Sequence, residues 1–119
     1  LSKLKKIDGK WFEAQDFNLN IKHTYFWCPL KIIDKNVNLE KIKKKLLRKG
    51  IEIRSRYKSP LYKQEVIQNL KIQSSQNYKK LNLPNAEKLA GNIFGLPNHH
   101  DLKKKDLDYI VESIRNINV

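Results

Sequence analysis

The residues best suited to chemistry lie in one short basic segment, RYKSPLYKQ, which runs from Arg56 to Gln64. It places two tyrosines, two lysines and one arginine around Pro60. Cationic side chains bind phosphate and carboxylate groups, and phenol hydroxyls donate or accept hydrogen bonds beside them. The segment therefore predicts a surface for an anionic ligand. The residue types alone leave open whether that ligand is a nucleic acid or a phosphorylated small molecule.

A strand is predicted to lead into this segment, because residues 51–54 alternate between isoleucine and charged side chains. A period of two places Tyr57 on the same face as the isoleucines and Arg56 on the opposite face. Pro60 stiffens the bend, so that Tyr62 leaves the strand at a fixed angle and forms part of a binding edge. In the alternative interpretation, the tyrosines simply cover the core, as tyrosines at strand ends often do.

The segments upstream predict the elements that position this loop. Residues 21–33 are rich in β-branched and aromatic side chains, which favours a strand, and Pro29 predicts a sheet edge or a bulge. Asn38 is expected to cap a helix that ends at Gly50. The apolar face of that helix comprises Leu39, Ile42 and Leu46.

The downstream half predicts a loop and two helices. Residues 71–82 are polar and lack apolar periodicity, which is typical of a surface loop. Pro84 suits the first turn of a helix. The expected apolar face of that helix comprises Ala86, Leu89, Ala90 and Ile93. The same spacing recurs at Leu107, Ile110, Val111 and Ile114, which predicts a final helix.

Composition indicates one folded domain that attracts polyanions. The chain has 119 residues, of which 39% are hydrophobic and 31% charged, too apolar a balance for a disordered chain. Its net charge of +13 attracts phosphate-rich partners whatever its function. A stand-alone basic nucleic-acid-binding module is therefore one hypothesis. No zinc-finger spacing, paired aromatic motif or glycine-rich clamp accompanies the charge, so no specific nucleic acid is predicted.

The single cysteine, Cys28, excludes an internal disulfide and favours a cytoplasmic location. No apolar run reaches the ~18 residues that span a bilayer, so no membrane partner is expected. The histidines at positions 23, 99 and 100 lack the paired spacing of a zinc site, and no metal is predicted. Because the chain contains no methionine and opens on Leu1, we interpret it as a piece of a longer protein.

Several short motifs occur in an order that resembles the C-terminal end of the DegT/DnrJ/StrS family of pyridoxal-phosphate-dependent sugar aminotransferases. That family combines a Gly-Ile strand, a Tyr-x-x-Pro-Leu-His-x-Gln segment, an Ala-Glu-x-Leu-Ala helix and a Leu-Pro-x-His turn before a last helix. The resemblance extends from Ile21 to the end of the chain. The matching residues are Gly50-Ile51, Tyr57, Pro60-Leu61-Tyr62-Lys63-Gln64, Ala86-Glu87-Lys88-Leu89-Ala90 and Leu96-Pro97-Asn98-His99.

The resemblance implies an α/β (α+β) fold, a small, mostly antiparallel sheet packed against helices, as the C-terminal domain of a fold-type-I enzyme. Residues 1–119 form one domain on this reading, with 1–20 as a connecting segment and 21–119 as the small domain. The parent enzyme would be a homodimer whose missing N-terminal large domain holds pyridoxal phosphate (PLP) on a lysine. No cofactor is expected on this chain alone, and no catalytic residue is assigned to it.

The implied substrates are a keto sugar nucleotide and an amino donor, and the small domain would form one wall of their site. The predicted substrate-binding residues are Arg56, Tyr57, Tyr62, Lys63 and Gln64. A regulatory domain that kept the fold without catalysis remains an alternative, as does the nucleic-acid module.

The chain departs from the family pattern at two positions. Tyr62 stands where many members carry histidine, and Lys103 stands where the last helix is usually capped by serine or threonine. Asp101 is therefore predicted to provide the cap. An exposed apolar patch formed by Trp11, Phe12 and Phe17 is also expected, because a small domain normally packs on a larger one.

Overall fold

The structure is a computed structural model that describes residues 11–16, 20, 22, 24, 26–69 and 81–119. In this part of the chain, a four-stranded antiparallel sheet is combined with four α-helices. The strands lie in the order β1-β2-β4-β3. They are β1 (Phe12–Ala14), β2 (Cys28–Ile32), β3 (Arg54–Ser55) and β4 (Ile93–Leu96), and the helices are α1 (Leu39–Arg48), α2 (Glu65–Asn69), α3 (Pro84–Leu89) and α4 (Lys104–Arg115). A 3₁₀ turn, Leu61–Lys63, precedes α2. The predicted α+β fold is confirmed.

The core lies on one face of this sheet. Phe12, Leu30 and Phe94 come from adjacent strands, and α1 and α4 add buried isoleucine and leucine side chains. Trp11 stacks on Phe94 with ring centroids 5.8 Å apart. On β1 and β2, Glu13 pairs with the opposite residue Lys31 at 3.2 Å, so that pair presents a polar surface.

The predicted exposed patch is wrong for Trp11 and Phe12, which are both buried. β1 pairs with β2 in a register that places Phe12 opposite Ile32. The rings of Trp11 and Phe12 therefore pack in the core of this chain and are not exposed for contact with another domain. Phe17 lies outside the described residues. β1 also lies within the stretch 1–20 that was interpreted as a connecting segment.

Pro29 lies in an inner strand, not in the edge strand or bulge that the sequence predicted. The amide of Ile32 donates to Asn92 on the β4 side, and that of Ile33 donates to Trp11 on the β1 side. Alternation therefore directs the nitrogen of residue 29 towards the β1 side, where pairing has ended at Leu30. Proline has no backbone N–H group, and at this position the sheet loses no hydrogen bond because of it.

Helix α1 forms as predicted. The Asn38 side chain accepts a hydrogen bond from the amide of Lys41 at 3.1 Å, and Ile42 and Leu46 are buried. Gly50 has a φ of 74°, the left-handed conformation that favours glycine just past a helix end.

The helix predicted over residues 86–93 ends earlier, at Leu89. Gly91, with a φ of 77°, turns the chain, and Ile93 opens strand β4 opposite Lys31. The prediction of one apolar helical face that includes Ile93 is therefore wrong. Pro84 does occupy the first turn, as expected. Of the predicted loop 71–82, residues 71–80 lie outside the described ranges.

Helix α4 begins one residue after Lys103, which is its N-cap, so the prediction that Asp101 caps it is wrong. The Asp106 carboxylate accepts a hydrogen bond from the Lys103 amide at 2.9 Å. A carboxylate in the first turn suits the positive end of the helix dipole and offsets the lysines there.

None of the helices in the described parts of the chain is long and apolar enough to cross a membrane.

Candidate functional site

An open groove of about 800 Å³ runs along the β3 edge of the sheet and beneath α4. Aromatic, cationic and acidic side chains line it together. They include Trp27, Glu52, Arg54, Arg56, Tyr57, His99, Asp106 and Tyr109.

The floor of the groove depends on a close contact between Trp27 and Gly95. A Cβ atom built on Gly95 would lie 1.5 Å from Nε1 of Trp27, far inside van der Waals contact. Gly95 pairs with Pro29 on β2 and with Arg54 on β3, so the indole lies directly over the sheet backbone. Only glycine at this position lets a flat aromatic wall form there.

Arg54, Arg56 and Tyr57 form the cationic and aromatic rim. Tyr57 was predicted on the isoleucine face, but β3 ends at Ser55. The side chain of Tyr57 is 66% exposed. The two-residue alternation therefore stops before it reaches Tyr57. Its backbone remains fixed, since its carbonyl accepts a hydrogen bond from the Gly91 amide at 2.8 Å.

The opposite wall of the groove comes from α4 and the turn before it. The Tyr109 hydroxyl donates to the carbonyl of Lys49 at 3.0 Å, which joins α4 to the end of α1. Nδ1 of His99 lies 3.9 Å from a carboxylate oxygen of Asp101.

Guanidinium groups beside exposed aromatic rings can bind an anionic group and stack on a flat or sugar ring at the same time.

A second cluster lies outside this groove and joins the 3₁₀ turn to α3. The Tyr62 hydroxyl donates a hydrogen bond to Oε1 of Glu87, and the Lys63 ammonium lies 3.0 Å from Oε2 of the same carboxylate. The Tyr62 side chain is buried. The hydrogen bond from Tyr62, followed by that from Lys63, holds the pKa of Glu87 below its ordinary value.

The same cluster shifts the pKa values of its other two members upward. The hydrogen bond to Glu87 raises the pKa of the Tyr62 phenol, and burial raises it further. The hydrogen bond to Glu87 is also the largest cause of the raised pKa of the Lys63 ammonium. All three shifts favour an ionised carboxylate between a neutral phenol and a charged ammonium.

The five predicted site residues therefore do not come together: two line the groove, two contact Glu87 and one lies in neither place. Arg56 and Tyr57 line the groove, whereas Tyr62 and Lys63 contact Glu87. Gln64 is exposed and immediately precedes α2, and its carbonyl accepts hydrogen bonds from the amides of Ile67 and Gln68 at 3.0 Å.

Of the eight groove residues named above, only Arg56 and Tyr57 were predicted as site residues from the sequence. The sequence did not indicate a ligand role for Trp27, Arg54 or Tyr109. The alternation of residues 51–54 did carry a signal for Arg54, because it placed that side chain on the face opposite the isoleucines. The approach of Trp27 to Gly95 joins residues far apart in sequence and left no local signal.

The chain belongs to the DegT/DnrJ/EryC1/StrS aminotransferase family, whose model matches residues 2–115. The resemblance found from the motifs is thereby confirmed. A comparison with curated protein sequences found no significant match.

Two solved structures share the fold. One is the sugar aminotransferase CalS13 from Micromonospora echinospora, with a TM-score of 0.71, 18% identity and coverage of 93% of this chain. The other is the aminotransferase TlmJ from Streptoalloteichus hindustanus, with a TM-score of 0.70, 18% identity and coverage of 96% of this chain. The match covers only 27% and 29% of those two chains, so this chain spans little more than a quarter of their length.

The described groove does not fit PLP as a covalently held cofactor. A Schiff-base lysine needs a lowered pKa in a dry site, and among the described residues no lysine lines the groove. Lys63, in the neighbouring cluster, has its pKa shifted in the opposite direction by Glu87. Over the described ranges, no three metal-ligating side chains come together either.

Proposed function

We propose that this chain is the small domain of a PLP-dependent aminotransferase that transfers an amino group to a keto sugar nucleotide, and that its groove forms one wall of the active site. The family supports the aminotransferase class. The observation that carries the substrate class is the groove itself, where Arg54 and Arg56 stand beside the exposed ring of Tyr57 and the indole of Trp27.

Each groove residue then has a role that its chemistry suits. The guanidinium of Arg56 offers paired donors to a diphosphate, and Arg54 adds a second positive charge beside it. The rings of Tyr57 and Trp27 offer stacking surfaces for a base or a sugar. Tyr62, Lys63 and Gln64 shape the segment behind these groups.

The rest of the active site belongs to the parts of the parent enzyme beyond this chain. A large N-terminal domain would supply the lysine that holds PLP, and the homodimer would complete the site and admit the amino donor. PLP supplies the electron sink that amino transfer requires. Reading the coding sequence upstream of Leu1 tests this part: a domain with a Schiff-base lysine supports it, and a stop codon or an unrelated domain contradicts it.

The groove can be tested on the 119-residue chain directly. We expect uridine diphosphate to perturb the NMR signals of residues around Trp27 and Tyr57 during a titration. Arg56→Ala should weaken binding roughly tenfold, because it removes a charge-assisted contact to phosphate. Arg48→Ala is the matched control, since it removes an exposed arginine from α1, outside the groove.

Equal losses in the two variants would show that only net charge matters, and would contradict the substrate assignment. A diphosphate that shifts the signals of the α1 lysines and leaves those of Trp27 unchanged would contradict it as well.

A further inference from the structure

The substrate segment, residues 56–64, is held from one side by helix α3 and the turn that follows it. The carbonyl of Tyr57 accepts a hydrogen bond from the amide of Gly91, two residues after the end of α3. Further along the segment, the Tyr62 hydroxyl donates to the Glu87 carboxylate on α3 itself. Two anchors from one short structural unit therefore fix both halves of the segment.

The Glu87 carboxylate contacts the segment through both of its oxygens, each with a different partner. Oε1 accepts from the Tyr62 hydroxyl, and Oε2 lies 3.0 Å from the Lys63 ammonium. That ammonium also lies 5.9 Å from the centroid of the Tyr62 ring, within range of a cation–π contact. A neutral side chain of the same size can replace the first contact but not the ion pair.

The exposed half of the segment depends on these anchors. Tyr57 is 66% exposed, so packing of its ring against the core cannot set its position. Its place in the groove is determined by the backbone between β3 and the 3₁₀ turn. A shift of about 1 Å in a ligand-facing group can cost a large part of its effect, so the anchors set how well the segment meets a ligand.

We propose that Glu87 is a positioning residue: its carboxylate fixes the substrate segment so that Arg56 and Tyr57 face the groove, while Glu87 itself stays outside it. Glu87 is not among the residues that line the groove. The consequence for ligand binding rests on the function proposed above. The structural claim, that the Glu87 charge holds the segment in place, is independent of that function.

Hydrogen exchange tests the structural claim. The amides of Lys63, Gln64 and Gly91 donate to the carbonyls of Pro60, Leu61 and Tyr57, so they report on the segment and its anchors. We expect Glu87→Gln to speed their exchange roughly three- to tenfold and to leave the amides of α4 unchanged.

Glu112→Gln is the matched control. It removes an equal charge from an exposed glutamate that is ion-paired with Arg115 at 2.9 Å on α4. This variant should leave the three reporter amides unchanged. Wild-type exchange rates at those amides in Glu87→Gln would overturn the proposal, and so would equal effects of the two variants.

A mutant cycle with ligand distinguishes positioning from general loosening. We expect Glu87→Gln to raise the Kd for uridine diphosphate roughly three- to tenfold in the wild-type background, and far less in an Arg56→Lys background, because the two residues act through one contact. Equal losses in both backgrounds would overturn the claim that Glu87 acts through Arg56. If the wild-type chain binds no diphosphate, the function proposed above fails, and the exchange experiment still decides the role of Glu87.

Discussion

Gly95 shows how one missing side chain shapes the groove. Gly95→Ala would drive a methyl group into the indole of Trp27, because the built Cβ lies 1.5 Å from Nε1. Either the indole or the strand must move. We expect a loss of roughly 1–3 kcal/mol in the free energy of unfolding, together with changed near-ultraviolet circular dichroism from the displaced tryptophan.

Gly50→Ala provides the comparison for that variant. Gly50 has a φ of 74°, and none of the described residues beyond its chain neighbours has an atom within 4 Å of its built Cβ, so the substitution strains the backbone without a clash there. It should cost about 1 kcal/mol and leave the tryptophan signal as it is. An unchanged tryptophan signal in Gly95→Ala would contradict the packing of Trp27 on the strand.

The Tyr62–Lys63–Glu87 cluster predicts a defined pH window for the anchor. The pKa of Glu87 is lowered from 4.5, so its contribution to stability is present above that value and is lost as pH falls through the lower folded-state pKa. The pKa of Tyr62 is raised from 10.0 and that of Lys63 from 10.5, so their contributions are present below those values and are lost as pH rises through the higher folded-state values.

Exchange of the Lys63 and Gln64 amides measures this window. After correction for intrinsic exchange, their protection should be level between pH 4.5 and 10.0 and should fall outside this window. In Glu87→Gln the low-pH decline should vanish. A low-pH decline of equal size in that variant would assign it to other groups.

At the scale of elements, the sequence could predict those whose signals are local. The capping side chain of Asn38 and the spacing of Ile42 and Leu46 fall within one helix, and both predictions hold. Position 93 follows the helical spacing of α3 equally well, yet Ile93 lies in β4, because Gly91 turns the chain and β2 offers a partner strand. Here long-range strand pairing overrides the helical pattern, and Gly91 permits the turn that makes it possible.

The part of the site that depends on long-range contacts could not be predicted from the sequence. Arg56 and Tyr57 were predicted as site residues because their residue types indicate a binding edge. Both line the groove, and their contact with a substrate stays a prediction. The fixed position of the segment depends on Glu87, 25 residues beyond Tyr62 in sequence. Tyr62 and Glu87 belong to two separate motifs, and no spacing rule connects a phenol on a 3₁₀ turn to a carboxylate on a later helix.

Helix α4 is held mainly by the side chains it buries. Ile114 is fully buried in the core, whereas Leu107, on the same helix, is 45% exposed. Ile114→Ala should therefore lower the free energy of unfolding by roughly 2–5 kcal/mol, and Leu107→Ala by about 0.5 kcal/mol or less. Urea denaturation with a constant m-value measures both. Similar losses would contradict the placement of α4.

At the scale of the whole molecule, a net charge of +13 makes attraction to polyanions unavoidable. We expect DNA of mixed sequence, RNA and heparin to compete equally, with an affinity that falls steeply as salt rises, because counterion release drives the binding. Filter binding between about 50 and 200 mM salt measures this dependence. Selective binding of one sequence that persists at the higher salt would favour a nucleic-acid-binding module.

Cofactor chemistry gives the sharpest test of the proposal that another domain supplies the lysine for PLP. Schiff-base catalysis needs a lysine of lowered pKa, a phosphate site and a partner for the pyridine nitrogen in one dry pocket. The described groove is open and has no lysine in its lining. Exposed lysines elsewhere still react slowly and reversibly with a free aldehyde. Borohydride trapping at stoichiometric PLP, followed by peptide mapping, should therefore spread the label over several lysines. One lysine that labels saturably, with spectral turnover that depends on an added amino acid, would show instead that this chain carries a complete cofactor site.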